Sequence, residues 1–453
     1  MMRYKKKELL KIVSSLGEVN HLIIENAEHA NTDSIMEALR NCQESAITIG
    51  TYLEGCYEEK TAGSVHMLED YCEVVYQMSL ALDNPNQIKK LAKKVQKQLF
   101  QITSQMKCDI PDDKKEIIFL PYKASMWDSL ESVWRAVSED DKCEAFVIPI
   151  PYYDKNPDGS LGQFHYEGND YPDDVPVTDW QEYCIPERRP DAIFIHNPYD
   201  QCNYVTSVHP DFYASNLRKY TDLLVYIPYF VAINDQVEKH FCTTNGVLYA
   251  HKVIVQSKKV RQTYIKEFHK FERDNNCKGA FGRIEEKVVA LGSPKYDRAA
   301  YPRKEDYEIP GDWETVIRKP DGSKKKVILY NTTIESTLKE SEDMLDKIED
   351  VLKLFENDQE TVLLWRPHPL LKTTLESMRP DLLEHYIQIE ERYKNGGWGI
   401  YDESADLYRA IAISDAYYGD MSSVVELYKQ TGKPIMIQNV KVRSQDADTE
   451  CGF

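Results

Sequence analysis

The chain has 453 residues, 42% of them hydrophobic, enough for two or three full-sized cores and too long for one ordinary domain. Its 75 acidic residues outweigh 56 basic ones, and the net charge of −19 excludes broad nucleic-acid binding, because it repels a phosphate backbone. Ten cysteines stand singly from Cys42 to Cys451, with no C-x-x-C pair and no metal-ligand spacing to histidine. Neither a disulfide framework nor a metal site is indicated, no cofactor is expected, and a reducing cytoplasm is the expected compartment. No signal peptide is legible, and proline, glycine or charge breaks each apolar stretch well short of a membrane span.

Residues 1–110 read as a small helical domain, with apolar residues at spacings of three and four such as Leu68, Cys72, Val75, Met78 and Leu82. Its start, with Arg3, Lys5, Lys6 and Lys7 before Leu9, Leu10, Ile12 and Val13, has two readings. One is an ordinary surface helix; the other is a basic amphipathic helix in peripheral contact with an anionic membrane.

From about 111 to 310 the character changes to short apolar runs separated by helical stretches: 116–120, 145–150, 191–195, 223–227 and 252–256. Such alternation predicts a parallel sheet covered on both faces. The polar, Tyr-, Asp- and Gly-rich segment 152–183 is expected to be an insertion or long loop near the functional edge of that sheet. After a charged connection over 301–326, residues 311–453 repeat the pattern, with strands expected at 327–330, 361–365, 386–389, 416–418 and 434–437. Two doubly wound domains in tandem, without a G-x-G-x-x-G fingerprint or Walker loop, predict an α/β chain of GT-B architecture: two Rossmann-like domains facing a ligand cleft, preceded by the helical domain.

Two turns in the last domain suit phosphate chemistry. In Ser414-Asp-Ala-Tyr-Tyr-Gly-Asp-Met-Ser-Ser-Val-Val-Glu426 a strand ends at Gly419 and a helix starts at Ser422 or Ser423, whose free N–H groups fit a pyrophosphate. The same residues have a purely structural reading, with Ser423 and Glu426 as a capping box. The second turn, Arg366-Pro-His-Pro369, follows a buried strand and is expected on the same sheet edge. There Arg366 clamps phosphate with its fork of donors, and His368 donates to a phosphate oxygen or leaving group.

The blocks Arg366-Pro-His-Pro369 and Ser414-Asp-Ala…Asp420-Met-Ser-Ser-Val424…Lys433-Pro-Ile435 resemble the R-x-H-P and S-D…T-D-Y-S-S-V…K-P-I motifs of the CDP-glycerol glycerophosphotransferase family, the teichoic-acid polymerases and primases. Leu291-Gly-Ser-Pro-Lys-Tyr-Asp297 resembles the family's G-x-P-R-x-D turn, and Val327-Ile-Leu-Tyr-Asn-Thr332 its I-L-Y-A-P-T strand. The resemblance covers roughly residues 250 to 440, and order and spacing agree throughout. It implies a metal-independent transferase at the inner membrane face, moving glycerol phosphate or a related polyol phosphate from a CDP-activated donor to a polymer or lipid-linked acceptor. Donor contacts then fall to Arg366, Asp420, Ser422, Ser423 and, toward ribose, Glu426.

The chain departs from the family in three places. Where the family has a W-H-G-T turn whose histidine is taken as the base, this sequence has Tyr226-Ile-Pro-Tyr-Phe230. The family's donor-helix carboxylate falls at Leu427, and Gly419 and Met421 replace its threonine and tyrosine. Another base is therefore required. His196, at the end of the run 191–195, is the first candidate, with Asp200 to orient it; His209 is the second, and Lys123 and Ser125 are expected to bind acceptor phosphate. Two alternatives stand beside polyol-phosphate transfer: a GT-B glycosyltransferase or epimerase using a nucleotide sugar, and a catalytically lapsed binding or scaffold protein.

Overall fold

The computed structural model describes residues 6–26, 32–300, 307–404 and 406–442. Arg3, Lys5, Cys451 and residues 301–306 of the expected connection lie outside them. The chain divides into two compact units, Met1–Lys115 and Glu116–Phe453.

Among the described residues the first unit holds four α-helices: α1 (Lys6–Asn26), α2 (Thr32–Tyr57), α3 (Ala62–Leu80) and α4 (Pro85–Asp109). Asn84 starts α4 by accepting the Gln87 N–H (3.2 Å), and Pro85 occupies the first helical position, where no N–H is needed. Ile88, Ala92, Val95, Leu99, Ile102 and Met106 then fall on one buried stripe. On α1, Leu9, Val13, Leu16 and Ile23 are buried in the same core. Lys6 is tied to Asp112 (2.9 Å) and to the Lys107 carbonyl (2.8 Å). The apolar face of α1 that the amphipathic reading would place in a lipid surface packs into the bundle. Among the described residues no helix is long and apolar enough to cross a membrane.

The second unit contains two parallel sheets. In the first lobe, β1 (Lys115–Leu120), β2 (Cys143–Val147), β5 (Ala192–Ile195), β7 (Leu223–Tyr226), β8 (Lys252–Val255) and β9 (Val288–Ala290) are ordered β2-β1-β5-β7-β8-β9. The segment expected as a loop is partly a sheet: β3 (Tyr152–Lys155), β4 (Leu161–His165) and β6 (Thr206–Val208) pair antiparallel. Asn156-Pro-Asp-Gly159 supplies the turn, with Gly159 at φ +83°.

The second lobe has β10 (Lys326–Thr332), β11 (Thr361–Pro367), β12 (Ile400–Tyr401), β13 (Ala416–Gly419) and β14 (Ile435–Ile437) in the order β12-β11-β10-β13-β14, all parallel. The strand expected at 386–389 is instead part of helix Pro380–Gly396, and β12 takes its place. Leu382, Tyr386, Ile389 and Tyr393 form a helical stripe, which four residues viewed alone do not distinguish from a strand. Ala299, Trp313 and Ile317 pack into the core of this lobe, as does Val231 from the first. The unit is thus a GT-B fold, two doubly wound lobes joined through shared packing.

Because the helical unit has its own contiguous core, residues 1–115 expressed alone are expected to be strongly helical by circular dichroism and to melt cooperatively. A gradual, non-cooperative melt would contradict that independence.

Candidate active site

The C-terminal edge of the second sheet is held together by one buried asparagine. Asn331, one residue before the end of β10, lies across from Arg366 on β11 and Gly419 on β13. Its Nδ2 donates to the Arg366 carbonyl (2.8 Å), its Oδ1 accepts the Ser422 hydroxyl (3.1 Å), and its own carbonyl accepts the Asp420 N–H (3.0 Å). Gly419 makes this approach possible. Its φ is +144°, and a Cβ there would overlap the Asn331 carbonyl oxygen and lie 2.8 Å from the Asn331 nitrogen.

The turn after β13 is built differently from the capping box. Ser422 is the residue before helix Ser423–Tyr428, and no side chain caps that helix. Glu426 looks elsewhere: its Oε1 accepts the N–H of Asn234 from the first lobe (3.0 Å) and Lys429 Nζ (2.8 Å). The first N–H groups of the helix therefore have no side-chain cap and suit an anion. Asp420 is not a donor contact of this kind. Its carboxylate accepts Thr333 N–H (2.7 Å), Thr333 Oγ1 (3.0 Å) and Gln438 Nε2 (2.6 Å), fastening the ends of β10 and β14. A carboxylate engaged in this way serves the fold and brings no donor to a phosphate, which corrects its expected role.

The expected phosphate clamp is also corrected. Arg366 is buried and ion-paired with Asp402, which directly follows β12, and its Nη2 donates to the Ser404 carbonyl (2.8 Å). A buried guanidinium requires such partners, so its fork serves the β12 loop. His368 is exposed at the same edge as Ser423, roughly two strand spacings (about 10 Å) away. Its Nδ1 accepts the Leu370 N–H (3.2 Å), which assigns the ring proton to Nε2, and surrounding protein lowers its pKa from the usual histidine value. It is a neutral donor facing outward.

The expected base lies in the interior. His196 is fully buried; Nε2 accepts the Tyr122 N–H (3.0 Å) and Nδ1 bonds the Ser129 hydroxyl (2.9 Å), which itself donates to the Met126 carbonyl (2.7 Å). Both ring nitrogens are used, and burial pushes the pKa down to about 4. His196 thus positions the segment after β1 and has no lone pair left for an acceptor hydroxyl. Asp200 does not orient it. That carboxyl is buried at φ +50°, accepts the Ala214 N–H (2.9 Å), and is pushed up to about 7 by desolvation. His209 caps a turn through Asp211 N–H (3.3 Å) and packs on Trp180, and Lys123 lies over the Tyr152 ring at 5.1 Å.

A cavity of about 880 Å³ between the lobes gathers what remains. Ser423, Leu427 and Tyr408 line it from the second lobe, and Ser125, Trp127, Asp128, Glu167, Asp170, Tyr229 and Phe230 from the first. Lys295 and Arg298 come from helix Pro294–Ala300. Of the residues expected from sequence it joins Ser423 and Ser125; Arg366, His368, His196 and His209 are not on its wall. Tyr229 and Phe230 stand where the family's histidine turn was expected. Asp128 was missed, although its position shortly after the first strand of a parallel sheet is one where functional residues collect. Its Oδ2 accepts Lys295 Nζ (2.6 Å) and the Tyr408 hydroxyl (2.7 Å). A second cavity of about 590 Å³ lies by Thr333, Ser336, Lys339 and Asp420.

Two outcomes follow from this geometry. Gly419→Ala is expected to destabilise the protein by at least about 3 kcal/mol, read by thermal or urea unfolding, since both backbone overlap and φ oppose a Cβ; an unchanged midpoint would contradict it. The buried carboxyl gives a pH signature. Asp200 stays protonated in the fold up to about pH 7 but ionises near 3.8 when unfolded, so native stability falls as pH rises between those values. His196 works oppositely: neutral in the fold to about pH 4 and titrating near 6.5 unfolded, it loses stability as pH falls through that window. Asp200→Asn is therefore expected to stabilise the chain by an amount that grows from pH 5 to pH 8 by on the order of 2 kcal/mol. A pH-independent difference in urea unfolding would contradict this.

Residues 248–444 match the model of the family described as CDP-Glycerol:Poly(glycerophosphate) glycerophosphotransferase. No curated protein matches the sequence. Among solved structures, the chain is similar to the S. aureus MnaA-UDP co-structure at 13% identity, over 71% of this chain and 78% of that one, with a TM-score of 0.42. It is similar to Methanocaldococcus jannaschii UDP-GlcNAc 2-epimerase in complex with UDP-GlcNAc and UDP at 11% identity, over 74% and 86%, with a TM-score of 0.42. It is also similar to a variant of the wall teichoic acid polymerase TagF soaked with CDPG, at 16% identity, over 81% and 77%, with a TM-score of 0.36. The family match covers residues 248–444, which carry β8, β9 and the whole second sheet, and so extends over less than half of the chain.

Proposed function

We propose that this protein transfers glycerol phosphate, or a related polyol phosphate, from a CDP-activated donor to a hydroxyl of a polymer or lipid-linked cell-envelope acceptor. The observation that carries the reading is the uncapped turn at Ser423, within the family-matched segment, opening on a cavity that both lobes line. The acceptor oxygen attacks the phosphorus bearing the polyol, in line with the bond to CMP, and that bond breaks. The donor diphosphate lies against the N–H groups of Ser423 and its neighbours, with the Ser422–Ser423 turn held in place by Asn331. Lys295 and Arg298 also line the wall, ion-paired to Asp128 and Glu131 of the first lobe. Glu426 takes both of its bonds on Oε1, and Oε2 is the oxygen assigned to a ribose hydroxyl. Such a site works by positioning and preorganised donors.

The Tyr229-Phe230 turn, in place of the family's histidine turn, favours a second reading in which the donor is a nucleotide sugar. Nucleotide choice separates the two. On the first reading CDP raises the melting temperature and UDP does not, and CDP-glycerol with a membrane acceptor releases CMP. Ser423→Pro removes one backbone N–H at a position where proline suits a helix. It is expected to lower CMP release on the order of 100-fold. Stabilisation by UDP alone would favour nucleotide-sugar chemistry, and the absence of any nucleotide binding would favour a lapsed scaffold.

A further inference from the structure

Two adjacent residues on the wall of the interlobe cavity each bury a polar atom without a partner: Trp127 its indole N–H, and Asp128 its Oδ1. Trp127 is 2% exposed, and the Asp128 side chain is 12% exposed. The other oxygen of Asp128 is fully engaged by Lys295 and Tyr408, one from the helix joining the lobes and one from the second lobe. Those two bonds fix the carboxylate and leave its orphan oxygen defined in place. Burying a donor or an acceptor unpaired is costly, so a pair of orphans on one cavity wall points to a ligand group that satisfies both. A hydroxyl does so, because it accepts from an indole N–H and donates to a carboxylate. A fully ionised phosphate or carboxylate does not, since it has no proton to give Asp128.

We infer that Trp127 and Asp128 form the subsite for the acceptor hydroxyl, with Asp128 as the general base that the buried His196 does not supply. The inference rests on the transfer reading above and deepens it. Ser423, where the donor phosphate is placed, lines the same cavity. As the acceptor oxygen forms its bond to the polyol-bearing phosphorus, its proton passes to Asp128 Oδ1. The phosphorus–oxygen bond to CMP breaks, CMP departs with the electron pair, and the proton leaves Asp128 for solvent when product dissociates. Lys295 Nζ donates to the other oxygen of that carboxylate and keeps Oδ1 turned to its task. Tyr408 makes the base dependent on the second lobe, so the base is in position only when the lobes are packed as observed.

The test uses the full-length chain and two readouts. The first is the Trp127 indole N–H resonance, identified among the six tryptophans by its loss in Trp127→Phe, during titration with glycerol. The second is CMP release from CDP-glycerol with glycerol as acceptor. The expected result is that glycerol moves the Trp127 signal in the wild type and not in Asp128→Asn, and that Asp128→Asn lowers CMP release on the order of 100-fold or more with CDP affinity within about threefold. Trp127→Phe leaves the bonds of Asp128 in place and is expected to raise the glycerol KM about tenfold with kcat nearly unchanged, the pattern of lost acceptor binding. An unmoved wild-type signal, or Asp128→Asn turning over within about tenfold of wild type, overturns the inference. A chain whose Trp127 signal answers glycerol through Asp128, but which releases CMP from no CDP-alcohol, upholds the hydroxyl subsite and refutes the donor reading.

Discussion

The contact between Gly419 and Asn331 is the constraint on which the site depends. Two parallel strands approach so closely there that no Cβ fits, and the asparagine side chain then reaches both the backbone of β11 and the turn after β13. Everything proposed for the donor is a consequence. Ser422 spends its hydroxyl on Asn331, so it does not cap the helix, and the first N–H groups of that helix have no side-chain cap. A turn that would stabilise itself in an ordinary fold is here held open by a neighbouring strand. Such local cost, offset by surrounding packing, is what a preorganised binding site requires.

Burial decides which polar residues are left for chemistry. Arg366 and His196 both carry the side chains a phosphotransferase needs, and both stand at strand ends, yet each is consumed by the fold. Arg366 neutralises Asp402, and His196 uses its two nitrogens to hold Tyr122 and Ser129. Their removal from the inventory shifts attention to groups that stay incompletely satisfied. Asp128 and Trp127 are of that kind, and Glu426 reaches from the donor helix to Asn234 of the opposite lobe, so both sides of the cleft are read by single side chains.

Much of the architecture was legible from periodicity. Continuous apolar runs such as Val362 to Trp365 are buried parallel strands, and Gly419 and Gly432 punctuate the last βα unit where turn chemistry requires them. Legibility failed where a short segment has two physical solutions. Tyr386 to Ile389 suits a strand or a buried helix face, and only Pro380 at its start and Gly397 at its end, in a left-handed turn, decide for helix. Hydrogen-bond partners were not legible, because they join residues far apart in sequence: Arg366 to Asp402, Asp420 to Gln438, Asp128 to Tyr408. A motif names the residue types, and the partner each finds determines whether it binds substrate or binds the fold. The donor half was therefore readable as a family segment, whereas the acceptor half, which departs from the family's histidine turn, yielded only through its geometry.

The central claim is that donor and acceptor meet in the cavity shared by Ser423 and Asp128. A crystal structure of the protein with CDP tests it most directly. The account predicts the diphosphate against the backbone N–H groups at Ser423, with its terminal phosphate facing Asp128 across the cavity and the ribose near Glu426. CDP seated in the other cavity, beside Thr333, Ser336 and Lys339, would contradict it, because a donor there lies on the far side of the Asp420 turn from the proposed base.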